Sequence, residues 1–122
     1  MDQVPAVLMA ASCPFGGGVA GTEQELCGVL AGATMLIGTL YGRDRQGDDG
    51  LCYRLTRRFY EQFLADNGGH TRCAAVRARL EPRPRRCLAV IEQGVARLIK
   101  LIESERTSDP LAACCGEPTC PT

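Results

Sequence analysis

Residues 22–42 read TEQELCGVLAGATMLIGTLYG. Within them Leu26, Val29, Leu30, Ala33, Leu36, Ile37 and Leu40 recur at spacings of three and four, the period that gathers apolar side chains on one helix face. Thr22 stands where an N-cap belongs, and Glu25 three residues on completes a capping box. From Leu26 to Gly42 the chain is uncharged for about 17 residues, at the lower limit for a membrane span. Four glycines and the threonines dilute that stretch, so it predicts a buried central helix and no membrane span. Gly28/Gly32 and Gly38/Gly42 repeat at i, i+4. Each glycine costs about 1 kcal/mol of helix propensity relative to alanine. Close approach of a second helix backbone, within the fold or across a homodimer or larger complex, offsets that cost.

Outward from this segment the chain reads as a helical bundle. An apolar helix over residues 3–12 ends at Cys13-Pro14-Phe15, and Gly16-Gly17-Gly18 follows as a loop. Residues 43–50 are a polar loop in which Asp48 or Asp49 caps the third helix, over residues 51–67. Leu51, Leu55, Phe59 and Phe63 share a face there, and Gly68-Gly69 stops it. A short fourth helix over residues 71–80 places Cys73, Val76 and Leu80 on one side, and Pro82 and Pro84 force a turn. The fifth, over residues 85–104, aligns Cys87, Val90, Ile91, Val95, Leu98, Ile99 and Ile102. The fold class is therefore all-α: a single-domain bundle of about five helices over residues 1–107, followed by a cysteine-rich tail over 108–122.

Fourteen basic and fourteen acidic residues balance, which argues against nucleic acid as a partner. The arginines between Arg72 and Arg86 read as a solvated helix face with a connecting turn. With 45% apolar residues a core forms without disulfides, yet there are eight cysteines. Residues 1–12 carry Asp2 and no Lys or Arg, so the charged start of a secretory signal is missing. For the same reason Leu8–Cys13 makes a poor lipoprotein cleavage site. A reducing, cytoplasmic location is expected, where such cysteine usage points to metal binding or redox chemistry.

No Cys-x-x-Cys occurs, which removes the usual thioredoxin pair and zinc knuckles, and no Cys-x-x-Cys-His occurs for covalent haem. The glycine run could cradle an anion at a helix start but lacks the lysine and spacing of a P-loop. His70, the only histidine, reads as a loop or cap residue, with His70-x-x-Cys73 leaving ligation open. Cys27, Cys73 and Cys87 all fall in the first turns of helices, where the partial positive charge of a helix start favours thiolate, the nucleophilic and ligating form. Cys13 lies beside the glycine loop, and Cys52, next to Leu55 and Phe59, reads as core.

The stretches Ala11-Ser12-Cys13-Pro14-Phe15-Gly16-Gly17-Gly18, Cys27-Gly28-Val29-Leu30-Ala31-Gly32 and Leu36-Ile37-Gly38-Thr39-Leu40-Tyr41-Gly42 together resemble the C-GCAxxG-C-C family of redox-active proteins. The resemblance continues through residues 69–73 and around Cys87, covering about residues 4–104. It implies an all-helical fold and a redox role, and a relation to the helical domain of split-Soret cytochromes, where an iron–sulfur centre is found. By position Cys27, Cys73 and Cys87 match family cysteines. The family's first cysteine lies in the N-terminal helix; here Cys13 or a tail cysteine takes the place of a fourth thiol.

The leading expectation is an electron-transfer protein in which Cys13, Cys27, Cys73 and Cys87 converge and hold an iron–sulfur cluster, with a redox protein as partner. A second is thiol–disulfide exchange or redox sensing, with Cys114, Cys115 and Cys120 as a tail shuttle. A third is a non-catalytic helical subunit or a soft-metal-binding module.

Overall fold

The computed structural model describes residues 4–42, 50–80 and 86–108. Helices α1 (Ala6–Ser12), α2 (Gly28–Tyr41), α3 (Gly50–Asp66), α4 (Cys73–Ala78) and α5 (Arg86–Ser108) follow in order, with a 3₁₀ turn at Cys13–Phe15 after α1. Among the described residues there is no strand, only an isolated antiparallel bridge between Leu26 and Arg72. No described helix is long and apolar enough to cross a membrane. The expected caps Asp48 and Asp49 and the tail cysteines lie outside the described residues.

The all-α expectation holds, with α2 packed against α1, α3 and α5. Leu30, Ala33 and Ile37 of α2 meet Leu55, Phe59 and Phe63 of α3 in one core, which Val76 of α4 and Val90, Leu98, Leu101 and Ile102 of α5 complete. At the end of α3 the Gly69 N–H donates to the Leu64 carbonyl (2.8 Å), and Gly68 and Gly69 take φ +64° and +82°. This left-handed stop is what the glycine pair predicts. Arg97 then holds Asp66 bidentately, at 2.9 and 2.8 Å, and Arg54 meets Glu105 at 3.1 Å, so ion pairs tie α3 to α5 at two points.

Several boundaries move for local reasons. The capping box at Thr22 does not form: Gly21 and Glu23 take φ +73° and +61°, which a right-handed helix excludes. The Thr22 hydroxyl instead donates to the Gly18 carbonyl (2.6 Å) and accepts from the Gln24 N–H (3.3 Å), closing a loop turn. α2 therefore starts at Gly28 with Cys27 as its N-cap. Leu26, left outside the helix, is partly exposed. α4 is delayed in the same way, because Thr71 accepts from the Cys27 N–H and Arg72 is held extended in the bridge to Leu26. Residues 4 and 5 precede α1, whose first helical residue is Ala6.

The α5 face is wider than its contact. Val90, Leu98, Leu101 and Ile102 are buried, whereas Leu88, Ile91, Val95 and Ile99 stand 42–49% exposed. Expected close packing at the α2 glycines is also only partly met. Among the described residues beyond their own stretch of helix, nothing lies within 4 Å of a Cβ built on Gly32 or Gly38. The tight approach of α2 to α5 runs instead through Gly94, whose Cβ would overlap Val29 Cγ1, and Gly28 lies against the Phe15 carbonyl.

Candidate functional site

Ahead of α2, residues 13–27 fold into a segment with unusual backbone. Gly17 and Gly18 take φ +63° and +69°, and so do three residues with side chains, Val19, Ala20 and Glu23, at +70°, +52° and +61°. Left-handed backbone in residues with a Cβ costs energy that must be met by contacts elsewhere, and such strain clusters at functional sites. Here hydrogen bonds hold it. The Ala20 N–H donates to Pro14 (2.7 Å), Gly21 to Gly16 (3.0 Å) and Glu23 to Gly17 (2.8 Å).

The loop builds the start of α4. The Cys73 N–H donates to the Glu25 carbonyl and the Ala74 N–H to the Glu23 carbonyl, both at 2.8 Å, while Cys27 donates to Thr71 at 2.7 Å. Gly18 is buried against Cys73. These contacts fix Cys27, the N-cap of α2, beside Cys73, the first residue of α4. Cys87, second residue of α5, comes in from the third side, and Cys13 from the 3₁₀ turn.

All four line one cavity of about 480 Å³, closed by Val29, Val76, Val90 and Ile91 and floored by Gly16, Gly17, Gly28 and Gly32. Cys27 and Cys73 are 8% and 5% exposed, Cys87 is half-buried and Cys13 is exposed. The cavity falls within the size of small-molecule and cofactor sites, roughly 300–1,000 Å³. None of the five described cysteines is in a disulfide.

The electrostatics differ from the sequence expectation at one thiol. Burial pushes Cys73 up from the usual thiol range, and Cys27, Glu23 and Cys87 push the same way, against Arg77. Desolvation thus outweighs the favourable field expected at the start of α4.

Arg77 is the site residue that the sequence did not single out. It lines the cavity one turn beyond Cys73, pairs with Glu23 at 3.2 Å, and has a buried Nε without a hydrogen-bond partner among the described residues. Its i+4 spacing from Cys73 was the available signal. His70 is exposed in the turn after α3 and lies outside the cavity lining. Cys52 packs partly buried against the core, as expected, but also lines a second cavity between α2 and α3.

Among the described residues, no three His, Cys, Asp or Glu side chains are gathered closely enough to hold a metal ion. The donor set itself is all thiol. An all-thiol donor set is the kind that soft metals and iron–sulfur clusters take.

Fold and cavity together define an all-α protein with a cysteine-lined pocket where three helices begin. The chain belongs to the family described as "Putative redox-active protein (C_GCAxxG_C_C)", whose model matches residues 2–101. No curated protein and no solved structure matches it.

Proposed function

We propose that this redox-active protein works through Cys27, Cys73 and Cys87, with Cys13 as the fourth thiol, and that these hold an iron–sulfur cluster in the cavity they line. The supporting observation is their convergence: four cysteines, 14, 46 and 14 residues apart in succession along the chain and three of them at the starts of different helices, line one 480 Å³ space. When bound, the cluster would supply one-electron chemistry. The chain's own residues would do the rest. Val29, Val76 and Val90 exclude water, Gly16, Gly17 and Gly28 let the backbone come close, and Arg77 places positive charge beside the thiols. A redox partner would approach near Cys13, Gly16, Gly17 and Ile91, the exposed residues of the lining. The reading places the protein in a reducing, cytoplasmic setting.

Anaerobic reconstitution with iron and sulfide, followed by analysis of both, tests it. Coloured protein carrying iron and acid-labile sulfide, lost in Cys27→Ser and Cys73→Ser, is the expected result. Colourless, iron-free protein after reconstitution overturns it.

A second reading is favoured by the lack of a single-ion site among the described residues. In it the cavity cysteines act as a thiol–disulfide group without metal, exchanging with Cys114, Cys115 or Cys120 of the tail. Thiol counting before and after mild oxidation separates the two, since this reading requires disulfides between cavity or tail cysteines.

A further inference from the structure

The opposite face of α2 carries a second cavity of about 500 Å³, between α2 and α3. Leu30 and Thr34 point into it, whereas Gly28 and Gly32 line the thiol cavity. A two-residue step turns a helix by about 200°, so the two spaces are separated by the thickness of α2, about 10 Å. Their chemistry also differs. The second lining holds no carboxylate, and its only charge is Arg57. On α3, Arg57 lies four residues after Tyr53 and three before Tyr60, so the three side chains neighbour one another on one helix face. Tyr53 is 62% and Tyr60 43% exposed, large aromatic surfaces left to solvent at the rim. Arg57 has no acidic partner among the described residues. Leu26 and Leu30 form the apolar side of the pocket.

We propose that this cavity is a binding site for a planar aromatic anion, an aromatic carboxylate or sulfonate of two fused rings or similar size. The guanidinium of Arg57 would hold the anionic group through paired N–H donors, the geometry in which arginine exceeds any other cation. The ring would lie against Leu26 and Leu30 with its faces offered to Tyr53 and Tyr60, which combine apolar area with a polar edge. Cations are disfavoured, because no acidic side chain lines the space and Arg57 repels them. The site stands independently of the redox reading, since it shares no lining residue with the thiol cavity.

The probe is naphthalene-2-sulfonate, titrated into the full chain by calorimetry and by NMR of the tyrosine ring signals. The chain has three tyrosines, and two of them line this cavity, so the ring signals report it directly. The expected result is saturable one-to-one binding that shifts Tyr53 and Tyr60 and leaves Tyr41 unmoved. The neutral isostere 2-naphthalenemethanol and the exposed-site variant Arg57→Gln should each weaken binding about tenfold, the scale of one charge-assisted hydrogen bond. Arg57→Lys should recover part of the loss. Three results overturn the proposal: no saturation into the millimolar range, binding unaffected by Arg57→Gln, or shifts that leave both rim tyrosines unmoved.

Discussion

A Cβ built on Gly18 would stand 2.5 Å from the Cβ of Cys73 and 2.9 Å from the Cα of Glu23, so the glycine loop and the start of α4 meet with no room for a methyl group. Gly18 also takes φ +69°, where a side chain is strained whatever the space. Gly18→Ala should therefore cost about 2–4 kcal/mol, from left-handed strain and overpacking together. Urea denaturation would measure it. A loss below about 0.5 kcal/mol, the range of neutral surface changes, would mean that the loop does not clamp Cys73.

The contact between Gly94 and Val29 sets two effects against each other. Alanine in a helix interior is favoured over glycine by about 1 kcal/mol. Here the new methyl would overlap Val29 Cγ1, and a β-branched side chain on a helix has little freedom to move away. Overpacking typically costs about 1–3 kcal/mol, so Gly94→Ala should be net destabilising in the natural background. Combined with Val29→Ala, the same substitution should become neutral or stabilising. A double-mutant cycle by chemical denaturation distinguishes the outcomes.

Neighbouring residues of α5 should respond very differently to truncation. Leu98 is 8% exposed and sits in the core, whereas Ile99 is 43% exposed. Leu98→Ala should cost about 2–5 kcal/mol, and Ile99→Ala well under half of that. Equal losses in thermal unfolding would show that the outer half of the α5 stripe is covered.

Asp66 gives the fold a pH dependence with a definite sign. Its hydrogen bonds to Arg97 hold its carboxyl below the usual carboxylate range, against the opposing effect of burial. Because the folded pKa is depressed, the pair's contribution is present above the unfolded value of about 3.9 and is lost as pH falls through the folded pKa. Stability should decline on acidification through that window, and Asp66→Asn should flatten the decline while lowering stability at neutral pH. Melting temperatures collected from pH 7 down to about 2 check both statements.

Much of this architecture was legible in the residues. The three-and-four spacing of Leu55, Phe59 and Phe63 and the stop at Gly68-Gly69 needed only local rules, and the structure follows them. That Cys27, Cys73 and Cys87 stand at helix starts was readable too, although α2 and α4 begin later than the sequence suggests. What could not be read was set by tertiary geometry. Thr22 has the sequence of a cap, but left-handed backbone at Gly21 and Glu23 postpones α2 to Gly28. Apolar spacing marks Ile91 and Ile99 as core because it cannot tell how much of a helix face a neighbour covers. The Cys73 thiol goes up because desolvation belongs to the packed state. The sharing of one cavity by four cysteines required the helix order in space, which spacing along the chain does not encode.

Thiol cross-linking tests the central claim, that Cys27, Cys73 and Cys87 share one cavity, most directly. Reduced, metal-free protein is treated with dibromobimane, which becomes fluorescent when it bridges two neighbouring thiols, and the bridged peptides are mapped by mass spectrometry. Bridges among Cys27, Cys73 and Cys87 in folded protein, lost when the protein is unfolded in urea, are the expected result. If folded protein yields no bridge among these three while each is separately alkylated, the cavity does not bring them together, and the account is contradicted.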